Sequence, residues 1–135
     1  MTQAITQEVL IPETINGQPS GNYDGSSLDW ISDPVKAGNY YRASPLQSVV
    51  VNVEDFVGLF TIQGTHDQNI STSVSARYIP QGSQVWVDLD TYGDQGDSVP
   101  ITDYRYISIL GNFTWIRIQV TGFTQGIIKQ VQLFY

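Results

Sequence analysis

The stretch that decides the fold closes the chain: "FTWIRIQVTGFTQGIIKQVQLFY", from Phe113 to Tyr135. In its first part Ile116, Ile118 and Val120 point one way, while Phe113, Trp115, Arg117 and Gln119 point the other, which is the two-residue period of a β-strand. In its second part Ile127, Val131, Leu133 and Tyr135 share a face. The "GFTQG" between them reads as a turn, so the segment is expected to be a terminal hairpin. Tyr135 continues the apolar pattern, and the C-terminus is therefore expected to be structural. Either the last strand is held between neighbours, or it is an edge from which Ile128 and Phe134 are exposed to pair with other chains.

The same character runs upstream. "SVVVNVEDF" alternates, with Val49, Val51 and Val53 on one face and Val50, Asn52 and Glu54 on the other. "VGLFTIQGT" follows directly, bracketed by Gly58 and Gly64, where a bend or bulge fits. "VSARYIP", "QVWVDLD" and "YRYISIL" add further strands between turns bearing Gly, Asp and Pro. No stretch keeps apolar residues at helical spacing without Gly, Pro or β-branched residues intruding, so almost no helix is expected. The fold class that follows is all-β: a single antiparallel β-sandwich or jelly roll over residues 28–135. Residues 1–27, rich in turn formers such as "NGQPSGNYDGSS", are expected to be an extended N-terminal arm. Its one apolar run contains Val9, Leu10 and Ile11. The arm is expected to be disordered, to lie along its own sandwich, or to pair with a neighbouring subunit.

Composition narrows the function. The chain has 135 residues, one domain's worth, with 6 basic and 13 acidic residues and a net charge of -7. That charge repels phosphates and anionic lipid, so neither nucleic acid nor membrane is expected as a partner. There are no cysteines, which removes disulfides and thiolate chemistry. The N-terminal segment carries neither a basic region nor an apolar run of signal-peptide length, so synthesis in the cytoplasm is expected.

Chemistry-bearing constellations are sparse. His66, beside Asp67, is the single histidine and reads as an exposed loop residue. Asp88, Asp90, Asp94 and Asp97 in "DLDTYGDQGD" could offer oxygen ligands to calcium, but Tyr92 occupies a ligand position of the helix-loop-helix pattern and the closing Glu is absent. A solvated acidic loop is the favoured reading, and no cofactor is expected. The carboxylates Asp29, Asp33, Glu54 and Asp55 show no spacing that sets two of them across a cleft, so no enzyme is expected. Asn69 and Asn112 match the glycosylation pattern by chance. Among the aromatics, Trp86 falls opposite the apolar Val85, Val87 and Leu89 face and is set outward, where it could hold a sugar ring. Trp115 shares its face with Arg117, a pairing that allows a cation stacked on an aromatic ring. Packing on the second face of a buried strand, or at a subunit interface, is the favoured alternative for both. Tyr40 and Tyr41, in the proline-flanked "SDPVKAGNYYRASP", are candidate contact residues.

A resemblance adds to this reading. "FVGLFTIQGT" followed by "GNFTWIRIQVTGFTQGIIKQVQLFY", with "WISDPVKAGNYY" upstream, resembles small virion structural proteins of tailed bacteriophages, especially contractile-tailed phages of cyanobacteria. The succession of strands is also similar to galactose-binding-like jelly rolls. The resemblance spans about Trp30 to Tyr135 and rests on strand residues and turn glycines. It implies a non-enzymatic part of a virion, favouring capsid decoration or cementing over a neck, tail or baseplate role. Other virion proteins and further copies of the chain would be its partners, and a glycan is the alternative ligand.

Overall fold

The computed structural model describes residues 7–40, 46–66, 86–93 and 99–135. These form an antiparallel open sheet and contain no α-helix, only a single 3-10 turn at Gly38–Tyr40. The strands are β1 (Gln7–Ile11), β2 (Thr14–Ile15), β3 (Trp30–Ile31), β4 (Val35–Lys36), β5 (Leu46–Thr65), β6 (Val87–Gly93), β7 (Ile101–Leu110) and β8 (Trp115–Phe134).

Two of them, β5 and β8, have 20 residues each and pair with one another along almost their whole length. "SVVVNVEDF" and "VGLFTIQGT" run on as a single strand whose pairing register shifts between Val57 and Leu59, where a bend or bulge is expected at Gly58. One sequence expectation is corrected here: the closing stretch is not a hairpin but the single strand β8. A hairpin would pair the two parts of the closing stretch with each other. Instead the first part pairs with Leu59–Thr65 and the second with Ser48–Val57. β5 offers two successive apolar lengths, so each half of β8 buries its own apolar row against it. "GFTQG" is a bend within a strand, with Gly122 and Gly126 at φ 66° and 102° and Asp55 opposite at φ 51°.

The bend is required by connectivity. Leu110 at the end of β7 pairs with Leu46, whereas Trp115 at the start of β8 pairs with Thr65, so Gly111–Thr114 must cross from one end of β5 to the other. A straight strand of that length would part its ends by roughly 60 Å, while a link this short, with two strand spacings, spans about 27 Å. β5 therefore folds back. Consistent with this, β1 on the late half of β8 touches β4 on the early half. The buried Gln47 accepts from the Gly38 N–H at 3.0 Å and donates to the Gly111 carbonyl at 3.5 Å, joining the two ends.

The apolar rows of both halves merge into one core. Val49, Val51, Val53, Phe56, Phe60 and Ile62 from β5 meet Ile116, Ile118, Val120, Phe123, Ile128, Val131 and Leu133 from β8. At the bend Phe56 stacks on Phe60 at 4.6 Å and tilts against Phe123 at 5.8 Å. Each such side chain, fully buried, stabilises the fold by about 1.5–3 kcal/mol.

Residues 7–27 are fastened to this chain's own sheet. β1 and β2 pair with β8, Asn16 donates from its backbone to Gly126 and from its side chain to Phe123, and Tyr23 is buried against Trp30 and Phe123. Leu10 and Ile11 lie in the core, which corrects the expectation that they are free to latch a neighbour. The turn closing this segment is held by Asp24, whose carboxylate accepts from the Ser26 and Ser27 N–H groups and the Ser27 hydroxyl. Those bonds, the Ser27 hydroxyl foremost, lower its pKa to about 2.

Candidate functional site

Outside the core the sheet has two outer faces, one over each half. On the half built from β6, the late part of β5 and the early part of β8, the outward positions are polar and interlocked. Arg117 Nε donates to Gln63 Oε1 at 2.8 Å. Gln63 Nε2 donates to Asp88 Oδ1 at 2.8 Å and to Gln119 Oε1 at 3.3 Å. The guanidinium lies 4.1 Å from the centre of the Trp86 ring. Arg117 is only 3% exposed, and burial pulls its pKa down to about 10 while Asp88 opposes that shift. It is still charged at neutral pH. The Trp86 Nε1 is buried without a hydrogen-bond partner.

This arrangement revises the aromatic expectations. The cation stacked on a ring exists, but Arg117 uses Trp86, not Trp115. One face of Trp86 is therefore taken and the ring is half-buried, so the outward sugar platform is corrected to a lid over Arg117. Trp115 meets Tyr40 edge to face at 5.3 Å, and the Lys36 ammonium sits 4.5 Å over the Tyr40 ring. Tyr41 lies outside the described residues.

The carboxylates are likewise committed. Asp88 holds Gln63, and Asp90 accepts from the Thr91 N–H at 2.8 Å. Asp94, Asp97 and Asp67 lie outside the described residues. Among the described residues no three His, Asp or Glu side chains converge on a point where a metal could sit. His66 is exposed, with its ring 4.8 Å from Phe113. Next to the bend, the Tyr92 hydroxyl donates to Asp103 Oδ2 at 3.0 Å, and Arg105 pairs with the same oxygen at 3.2 Å. Burial, then the bond to Asp103, pushes the Tyr92 pKa up to about 12.

The other half presents a different outer face. The pairing sets Leu110, Tyr106 and Tyr104 of β7 opposite Leu46, Val50 and Asn52 of β5, with Phe134 and Gln132 of β8 and Val9 of β1 continuing the rows. Leu110 is 75% exposed, Tyr106 67%, Tyr104 58% and Leu46 58%. Between these lie Ser48, Ser108, Gln130 and Gln132, and among the described residues no charge occurs until the margin, where Lys129 pairs with Glu54 at 3.1 Å. There an open depression of about 560 Å³ is lined by Asn52, Val53, Glu54, Thr102, Asp103, Tyr104 and Lys129.

Of the expected contact residues, Val9 and Phe134 reach this face, Val9 exposed and Phe134 half-buried. Ile128 does not. It is fully buried between Thr14 and Val53, so the exposed-edge alternative is corrected: β8 is an interior strand, flanked by β1 and β5. The sequence reading missed Tyr104, Tyr106, Leu46 and Leu110. The alternation in "YRYISIL" could have found the first two and Leu110, since Ile107 and Ile109 mark the buried side.

Fold and faces together define an antiparallel all-β protein whose polar outer face is closed on itself and whose other outer face is apolar and open. No protein-family model, curated protein or solved structure matches the chain.

Proposed function

We propose that this protein is a non-enzymatic structural part of a tailed-phage virion, most simply a capsid decoration or cementing protein, whose bent sheet closes into a jelly-roll-like sandwich. The resemblance of the strand segments supports the setting. The single structural observation behind the role is the uncharged outer face carrying Tyr104, Tyr106, Leu46 and Leu110 on a chain of net charge -7. Exposed apolar area grouped in this way marks a surface that meets another molecule. Its mechanism is burial of that face against a neighbour, repeated over many copies by the symmetry of the particle.

The test is immunogold electron microscopy on particles from a lysate in which the protein is made. Label on heads supports decoration, and label at the neck, tail or baseplate moves the role within the virion. Infectious particles without label, with the protein found free, overturn the reading. A saturable tryptophan-fluorescence change with host polysaccharide would then turn it towards glycan adhesion.

A further inference from the structure

We propose that the open outer face is where two copies of this chain meet, related by a two-fold axis lying in the plane between the two faces, parallel to the sheet; the inference rests on reading the protein as an assembly part. Three observations bear on this: the first favours a second copy as the occupant, the second favours the face over the edge, and the third sets the strength. The first is charge. Two chains of net charge -7 repel one another. They approach at least cost through a face whose interior, among the described residues, carries no charge. At its margin Lys129 and Glu54 lie side by side at 3.1 Å, so a two-fold axis can bring the Lys129 of each copy to the Glu54 of the other.

The second observation concerns the edges. β6 and β7 each have one strand neighbour, β5, among the described residues, and an edge strand ordinarily invites another strand to add. Here the Tyr104 N–H donates to Asp103 Oδ1 at 2.8 Å and the Thr91 N–H to Asp90 Oδ1 at 2.8 Å. Backbone donors held by the preceding carboxylate are not offered to an incoming strand, and the opposite edge, made by β1–β4 on β8, consists of strands of five and two residues, so association through the face is favoured over association through an edge.

The third is area. Four strands about 4.8 Å apart and about eight residues long give a face of roughly 400–450 Å² per copy, or about 800–900 Å² for two. This falls below the roughly 1,200–2,000 Å² of stable complexes. The isolated protein is therefore expected to form a weak, concentration-dependent dimer that becomes firm only when many copies are held together.

Sedimentation equilibrium of the purified chain across a micromolar-to-millimolar series tests this. The expected result is a mass rising from 15.0 kDa towards twice that value. The rise should be lost in Tyr106→Asp/Leu110→Asp, checked by circular dichroism to be folded. Because the chain has no cysteine, Tyr106→Cys on the otherwise unchanged protein provides a second measurement. It should crosslink under mild oxidation, while Thr124→Cys at the exposed bend should not. A mass fixed at 15.0 kDa, a dimer that survives the double substitution, or equal crosslinking at both positions overturns the proposal. If the chain stays monomeric while the double variant loses attachment to particles, self-association fails and the assembly reading stands, with a different virion protein on the face. A glycan that shifts the Tyr104 and Tyr106 resonances of a monomer overturns the proposal as well.

Discussion

The guanidinium of Arg117 lies 4.1 Å from the centre of the Trp86 ring, on the outer face of a sheet whose inner face carries the apolar core. The charge is buried yet engaged on two sides: Trp86 covers its plane, and Gln63 takes its Nε and passes the chain on to Asp88. This network ties β8 to β5 and β5 to β6 without adding to the core.

Removing the guanidinium should therefore cost more than removing its ring. Arg117→Ala leaves Gln63 Oε1 without its donor and Asp88 without a nearby cation, and is expected to lower unfolding free energy by about 2–4 kcal/mol. Arg117→Met keeps the stem packed and should cost less than Arg117→Ala, because an apolar replacement restores contact with Trp86. Trp86→Ala opens Arg117 to water and should raise its proton affinity towards the ordinary value. Urea denaturation of the three variants gives the ranking, and equal losses for Arg117→Ala and Arg117→Met would contradict it.

The contrast between Ile128 and Tyr106 tests the register of the long strands. Ile128 sits in the core between Thr14 and Val53, whereas Tyr106 is 67% exposed. Ile128→Ala should destabilise by about 2–4 kcal/mol. Tyr106→Ala should stay within about 0.5 kcal/mol in the monomer. Were "GFTQG" a hairpin turn, the two parts of β8 would pair with each other and Ile128 could face outward, so a neutral Ile128→Ala would restore that topology.

Why the hairpin was the natural reading, and wrong, is itself physical. The alternation of Ile116, Ile118 and Val120 fixes that the segment is a strand and that these three are buried, and both hold, whereas Phe113, expected on the other face, precedes the strand and joins the core, and Arg117 is buried too. Gly122 and Gly126 mark where the backbone departs from extended geometry. Departure alone does not distinguish a reversal from a bend, since both use residues at positive φ. The difference lies in β5, dozens of residues upstream, which breaks its own pairing at the same height. Likewise the pairing of Arg117 with Trp86 depends on β6 being placed beside β5, a long-range fact that face assignment within "FTWIRIQVT" could not contain. Composition spoke clearly for β structure. It said nothing of the open face, because Leu46, Tyr106 and Phe134 come from three separate strands that only the sheet brings together.

Gly126 gives a sharp test of the bend. Its φ is 102°, and a side chain there would run into the Asp55 carbonyl and the Phe56 backbone. Gly17 has a comparable φ of 93° with open space around it. Gly17→Ala should therefore cost only backbone strain, about 1–2 kcal/mol. Gly126→Ala adds a clash between two paired strands and should cost at least ~3 kcal/mol. The comparison is made by thermal and urea unfolding of the two variants. Similar losses would mean that the close approach at the bend is absent.

Tyr92 supplies the pH dependence. In the folded chain burial, reinforced by the hydroxyl's bond to Asp103, holds its pKa at about 12 against an ordinary value near 10. The unfolded chain thus loses this proton first as pH rises. Its contribution to stability is fully present below about pH 10 and is lost as pH climbs through about 12. Tyrosinate absorbance should show one late-titrating tyrosine, well above the ordinary value near 10. Asp103→Ala removes the acceptor and the neighbouring negative charge but leaves the burial. The late titration should then move partway back towards the ordinary value, not all the way. It should also free Arg105, which pairs with the same carboxylate at 3.2 Å, and the Tyr104 N–H. An unshifted late tyrosine in Asp103→Ala would assign the whole perturbation to burial. A late tyrosine absent from the native protein would mean that Tyr92 is not sealed against the bend at all.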